Sequence, residues 1–185
     1  MRHLSRSMLV LAALVVALAP AASAQGRPQT RQGFWIGFGL GYGSLSYSCS
    51  GCSGSEGSLS GYLKMGGTLS PKLLIGGETN GWTKSDYPLS GVTTTAGNVS
   101  GTVYFYPAPA SGFFLRGGLG FASRSASAGG SSVSQSGFGA TFGLGYDVRV
   151  GRNLSITPVA NYNWGAIESG TKQNIFQLAV GVTFH

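Results

Sequence analysis

The sequence predicts an all-β chain: an eight-stranded, antiparallel, up-and-down transmembrane β-barrel. Three observations carry that expectation. From Gly33 to Ser46, Phe34, Ile36, Phe38, Leu40 and Tyr42 share one parity while Gly37, Gly39, Gly41 and Gly43 share the other. A period of two is that of a strand with one apolar face. The alternation recurs to the last residues. Lys64, Glu78, Arg116, Arg124, Asp147 and Arg149, the formally charged residues inside candidate strands, all fall on the parity opposite the bulky apolar residues of their own strand.

The second segment, Ser58 to Ser70, carries Leu59, Leu63, Met65 and Leu69 on one face and Tyr62, Lys64 and Thr68 on the other, and Ser70-Pro71-Lys72 closes it as a tight turn. A turn centred on Pro71 places Lys64 opposite Glu78 of the third segment, Leu73 to Thr83, and predicts an ion pair between them. The fourth, Thr95 to Tyr106, stops at Pro107-Ala108-Pro109, where proline removes ladder donors. Phe113 to Arg124 and Gly137 to Val150 form the fifth and sixth, the latter alternating without a break from Phe138 to Val150. Leu154 to Trp164 is the seventh, with Pro158 marking a bulge. Asn174 to the terminus is the eighth, with Phe176, Leu178, Val180, Val182 and Phe184 on one face. Connections are long and polar after odd segments and short after even ones, so Ser46 to Gly57, Lys84 to Thr93, Ser125 to Ser136 and Gly165 to Gln173 are expected as four loops at one end.

Alternation alone fits a water-soluble barrel equally well, with the apolar face inward. Volume separates the two. The apolar parity holds more than a dozen aromatic rings, whereas a closed eight-stranded interior is only just wide enough for side chains. Those rings are therefore expected to face lipid, and Gly, Ser, Thr and Asn to line a narrow polar lumen. Running the strands up and down also sorts the rings by height. Phe34, Phe105, Phe113, Tyr146 and Phe184 fall near the short-turn end, and Tyr42, Phe121, Phe138, Tyr162, Trp164 and Phe176 near the loop end, as two aromatic girdles would.

Arg2 and Arg6 precede an apolar run from Met8 to Ala19, then Pro20 and the small-residue triplet Ala22-Ser23-Ala24. This reads as a cleaved secretory signal over residues 1–24, then a short segment over 25–32 and the barrel over 33–185. The run is too short for a spanning helix. The formal net charge is +7, and losing Arg2 and Arg6 with the leader would lower it by two. The remaining charges are scattered, with no basic helix or aromatic RNA-reading motif, so nucleic acid is not an expected partner. The Gly37 to Gly43 run has period two, not the strand-to-helix spacing of a phosphate loop, so no nucleotide cofactor is expected. Cys49 and Cys52 in the first loop fit a loop-stapling disulfide, with redox or metal use as the alternative. The only histidines are His3 and His185, which leaves no metal-ligand set and no catalytic base beside a nucleophile, and Glu78 and Glu168 lie far apart.

With its leader ending Ala22-Ser23-Ala24, its eight amphipathic segments and its final strand Gln177 to Phe184, the chain resembles the small OmpA/OmpX-like outer-membrane barrels across nearly all of the mature sequence. The resemblance implies a monomer held in outer-membrane lipid and inserted by the barrel assembly machinery. Phe184 would be the terminal assembly signal, although His185 follows it. It also implies that Lys64, Glu78, Arg116, Asp147 and Arg149 form a lumenal charge network that blocks a water path. A charged constriction selecting small solutes is the alternative. The expected role is structural or adhesive and non-enzymatic. The surface ligand is unknown, and the loops are the recognition surface.

Overall fold

The computed structural model describes residues 31–185; the expected leader over 1–24 and residues 25–30 of the segment after it lie outside the described residues. The chain forms β1 (Phe34–Cys49), β2 (Cys52–Ser70), β3 (Leu73–Lys84), β4 (Thr93–Phe105), β5 (Phe113–Ala128), β6 (Ser131–Tyr146), β7 (Val148–Arg149), β8 (Leu154–Ile167) and β9 (Thr171–Phe184), with one 3-10 turn at Glu168–Gly170. Each strand pairs antiparallel with its neighbour, β1 pairs with both β2 and β9, and β6 pairs with β8, so the sheet closes on itself. β6 and β7 are two stretches of one strand, interrupted at Asp147, and the barrel has eight strands.

The unpaired stretch, Tyr146-Asp147, lies opposite Thr157-Pro158 of β8. The pairs Gly145↔Val159 and Val148↔Ile156 keep one register on both sides of it. The missing proline N–H therefore breaks the ladder locally without the bulge expected there. The register irregularity of this sheet falls instead in β2, between Thr68 and Ser70.

Strands of 16 to 19 residues in β1, β2, β5 and β6 are far longer than the roughly 9–11 residues a tilted strand needs to cross a bilayer. The excess stands out at the end where loops were expected. Ser46 to Gly57 is an extension of the β1–β2 hairpin around Ser50-Gly51, and Ser125 to Ser136 is an extension of β5–β6 around Gly129-Gly130. Gly129 and Gly130 both have positive φ (57° and 85°), the requirement of a two-residue hairpin turn with primed geometry. Gly165 to Gln173 shrinks to the Glu168–Gly170 turn. Only the connection between Lys84 and Thr93 remains a loop. These extensions were invisible as strands because apolar alternation requires two different solvents, and above the bilayer both faces meet water.

The apolar parity faces outward throughout. Phe38 is 51% exposed, Phe142 54%, Leu119 62% and Val180 51%, whereas Lys64, Glu78, Arg116, Asp147 and Arg149 are all buried. Such an inventory places hydrocarbon outside the wall and ions inside it.

The interior is less uniformly polar than the sequence suggests. Trp35, Tyr62, Tyr104, Tyr106 and Phe114 cluster with Leu74 toward the short-turn end, and Trp82 packs with Leu45, Ala96 and Ile175 toward the other. Facing glycines make the room. A Cβ on Gly39 would lie 2.6 Å from the Tyr62 ring, and one on Gly145 would lie 2.5 Å from Phe114.

Candidate functional site

At mid-height the register sets Lys64 opposite Glu78, as the turn at Pro71 requires. The expected ion pair between them does not form. Glu78 pairs instead with Arg116 from β5 and accepts a hydrogen bond from the Tyr104 hydroxyl. Arg116 Nε also donates to Asn161 Oδ1 at 3.2 Å, and Asn161 donates to Gln177 at 2.7 Å, which donates in turn to Ser60 Oγ at 2.7 Å. The carboxylate is thus taken by a residue two strands away, on the other side of β4. The Lys64 ammonium turns into the ring set, with its nitrogen 5.0 Å from the Phe114 centroid, 5.2 Å from Tyr104, 5.8 Å from Tyr62 and 5.9 Å from Trp35. A cation facing ring π-clouds is held electrostatically without an anion. The space enclosed by Lys64, Glu78, Arg116, Asn161 and the rings of Tyr62, Tyr104 and Phe114 has no room for a water molecule.

The short-turn mouth is closed around Asp147. Its carboxylate accepts hydrogen bonds from Tyr106 and Thr157, both at 2.8 Å, and His185 Nε2 lies 3.3 Å away. Arg31 completes the cluster. Its guanidinium stacks 3.6 Å over the Tyr106 ring, donates to the Pro109 and Ser111 carbonyls at 3.0 and 2.9 Å, and comes within 3.9 Å of Asp147. Arg149 is buried beside this group and donates to the Arg152 carbonyl at 2.9 Å. These hydrogen bonds and ion pairs gather the charged residues at two levels, one at mid-lumen and one at the mouth. Arg31 precedes the first alternating segment and had no signal in the sequence, whereas His185 ends the eighth on its polar parity without any partner being legible there.

At the other end Trp82 donates from Nε1 to the Gly43 carbonyl at 3.0 Å and meets Tyr87 edge-on at 6.2 Å. Tyr87 carries the Lys84–Thr93 connection back onto the barrel, helped by Thr94, whose hydroxyl donates to the Tyr87 carbonyl at 2.7 Å. Lys84 pairs with Glu56 of β2, and Arg124 stacks 4.5 Å over Tyr47. Cys49 is disulfide-bonded, and its backbone partner across the hairpin is Cys52. Leu89 is 70% exposed at the tip of the loop.

The hydrogen bond from Lys84 holds the Glu56 carboxyl below its ordinary range. The lowered value means that this contact is fully formed above the ordinary carboxylate range and is lost as pH falls through the folded value. The protection factors of the amides between Tyr87 and Val92, each taken against its intrinsic exchange rate at the same pH, are therefore expected to fall on acidification more in the native chain than in Glu56→Gln. Identical acid profiles for the two would remove Glu56 from the loop's support.

The outward aromatics lie in two groups by register. Phe113 faces Tyr146, Phe105 sits one strand away opposite Leu115, and Phe34 and Phe184 lie near Ile36 at the same end. At the other end Phe121 faces Phe138, which meets Trp164 at 6.2 Å, while Tyr42 and Phe176 flank the β1–β9 seam. Tyr162 donates to Asn174 at 2.7 Å there.

A closed antiparallel barrel with an apolar outer wall and buried polar and charged residues inside defines a transmembrane β-barrel of the outer-membrane class. The chain belongs to the outer membrane protein beta-barrel domain family, whose model matches residues 8–184. No curated protein sequence matches it. Among solved structures, the attachment invasion locus protein Ail of Yersinia pestis is similar at 19% identity and a TM-score of 0.58, over 83% of this chain and 99% of that one. Neisserial surface protein A is similar at 16% identity and a TM-score of 0.61, over 84% and 98% respectively. A second Ail structure, in complex with the heparin analogue sucrose octasulfate, has a TM-score of 0.52 at 16% identity, over 82% and 99%.

Proposed function

We propose that the protein is a non-enzymatic, monomeric outer-membrane barrel with a structural and adhesive role, in which the wall is an anchor and the protruding rim is the recognition surface. The carrying observation is that buried side chains fill the lumen at three levels: the Asp147 cluster, the Glu78–Arg116 pair with its surrounding rings, and the Trp82 cluster. In this reading the filled lumen carries no solute and the rim is the part of the molecule that meets another one. The attachment role in the name of the similar Yersinia barrel, and that barrel's complex with a heparin analogue, are in keeping with this reading. Outer-membrane lipid covers the wall. Phe184, exposed at the end of β9, is offered as the strand-end aromatic read by the assembly machinery, and Cys49 with Cys52 as the staple of the first hairpin.

Planar-bilayer recording of the folded full chain tests the reading. No steady current is expected. A stable ohmic conductance would replace it with a small-solute channel whose path runs past Lys64, Glu78, Arg116 and Arg149.

A further inference from the structure

The outer wall carries a furrow along β3. Between Gly77 and Thr83 the outward-facing residues of that strand are Gly77, Thr79, Gly81 and Thr83, all exposed, and a Cβ on Gly77 or Gly81 would meet nothing within 4 Å. The missing side chains line up across the ladder. Gly81 pairs with Gly61 of β2 and Gly97 of β4, and Gly77 pairs with Gly101 of β4. The upper part of the furrow is a space of about 420 Å³ walled by Leu40, Leu59 and Leu63. Leu40 reaches over from β1, where a Cβ on Gly61 would lie 2.9 Å from its Cδ2. Val99, the β4 partner of Thr79, stands exposed on the other side.

The loop-end aromatic girdle is interrupted at the same place. Tyr42 pairs with Leu59, Leu59 with Thr83 and Thr83 with Thr95, so the row that carries the Tyr42 ring on β1 carries threonines on β3 and β4. Their hydroxyls lie 3.5 Å apart. Among the described residues no outward-facing aromatic stands at that end of β2, β3 or β4.

We propose that this furrow holds one acyl chain of a lipid from the loop-side leaflet, retained as a bound lipid while exchanging chains bathe the rest of the wall. The length of the furrow points to that occupant. Gly77 to Thr83 is roughly 20 Å at strand rise, and a strand tilted by about 45° covers roughly 14 Å of depth over that distance, about half of a ~30 Å hydrocarbon core. One chain of one leaflet fits it. The threonine row lies at the upper end, where the ester or amide linkage of such a lipid enters, and offers it hydroxyl donors at a level that rings occupy elsewhere. Escape from water adds nothing to retention, because bulk lipid is as apolar as the furrow. Dispersion contacts on three sides of the chain do, since a flat wall does not supply them and an empty furrow forfeits them. Hydrogen bonds to the linkage add to these in a medium of low dielectric. Lys84, at the same end of β3, is held by Glu56, so the site selects chain and linkage and not an anionic headgroup.

The site needs lipid at the outer wall and nothing from the role of the rim. The test uses the full chain folded into nanodiscs of palmitoyl-oleoyl phosphatidylethanolamine and released for native mass spectrometry. One retained phospholipid per barrel is expected in the native chain. The double variant Gly77→Leu, Gly81→Leu fills the furrow where both backbone positions have open space, and is expected to lower the retained fraction about tenfold by removing the enclosing contacts. Thr83→Val with Thr95→Val is expected to lower it about threefold, through the hydrogen bonds to the linkage alone. Gly117→Leu, on the outer face of β5 between Val103 and Phe142, should leave it unchanged. Gel mobility without boiling checks that each variant is folded, and Gly81→Leu alone supplies the block if the double variant is not. A phospholipid with a diazirine on its acyl chain reports position. Adducts are expected on residues 59–63 and 77–83 of the native chain and are lost there when the furrow is filled. No retained phospholipid, retention unaffected by either double variant, adducts spread evenly round the barrel, a retained free fatty acid, or a mass of two protein chains in place of the lipid overturns the proposal.

Discussion

Glu78→Leu is expected to destabilise the folded barrel by about 3–5 kcal/mol, the usual cost of leaving a buried charge without its partner. Glu78 and Arg116 are both almost wholly buried, and the Tyr104 hydroxyl donates to the same carboxylate. Removing the acid therefore leaves the buried Tyr104 phenol without the carboxylate it donates to and the buried guanidinium without a counter-charge, with only the Asn161 amide oxygen still accepting from its Nε. The double variant Glu78→Leu, Arg116→Met should recover most of the loss, because apolar groups of similar volume substitute well for a buried pair. The measurement is a urea titration of the refolded chain followed by gel mobility without boiling. Equal stability of Glu78→Leu and the native chain would show that the pair does not brace the lumen. The existing hydrogen bond from Arg116 Nε to Asn161 at 3.2 Å would then suffice to hold the guanidinium.

The second large effect concerns the opposite face. Val180 lies near the middle of the β9 wall, 51% exposed and paired with Leu40 and Pro158. Val180→Arg places a cation against hydrocarbon at mid-depth, where about 2–4 kcal/mol is lost, while the cost falls to about 0–1 kcal/mol near the interfaces. Leu69→Arg, at the short-turn end of β2 and 62% exposed in the native chain, is the shallow control. A steep difference between the two in lipid bilayers is expected. Equal, negligible losses would mean that water and not lipid bathes the outer wall, and the orientation of the barrel would have to be reversed.

Within the membrane nearly everything about the strands was legible in the sequence, since every residue there chooses between two very different surroundings and the choice is written as parity. Lys64 and Glu78 could be set opposite one another from a single turn at Pro71. Their actual partners could not. Pairing inside a lumen depends on which side chain reaches in from a strand that is not the ladder neighbour, and Arg116 comes from β5, beyond β4. The same holds for the ring cluster. Trp35, Tyr104 and Phe114 share the parity of glycines and hydroxyl residues, and only the closed barrel brings them to one level beneath Lys64. The protruding hairpins failed for another reason: Ser46 to Gly57 and Ser125 to Ser136 are polar on both faces, so their extended backbone left no apolar periodicity to read. Pro158 misled because loss of one N–H was taken to demand an inserted residue, when the ladder simply skips a rung.

Asp147 gathers contacts from opposite ends of the described chain. Arg31 precedes the first strand, His185 follows the last, and both converge on one carboxylate that also takes hydroxyls from Tyr106 and Thr157. The stopper is therefore finished only after the final seam has zipped. A half-wound cylinder would keep a leaky foot, and a bulky fusion appended behind His185 would pry at the same latch.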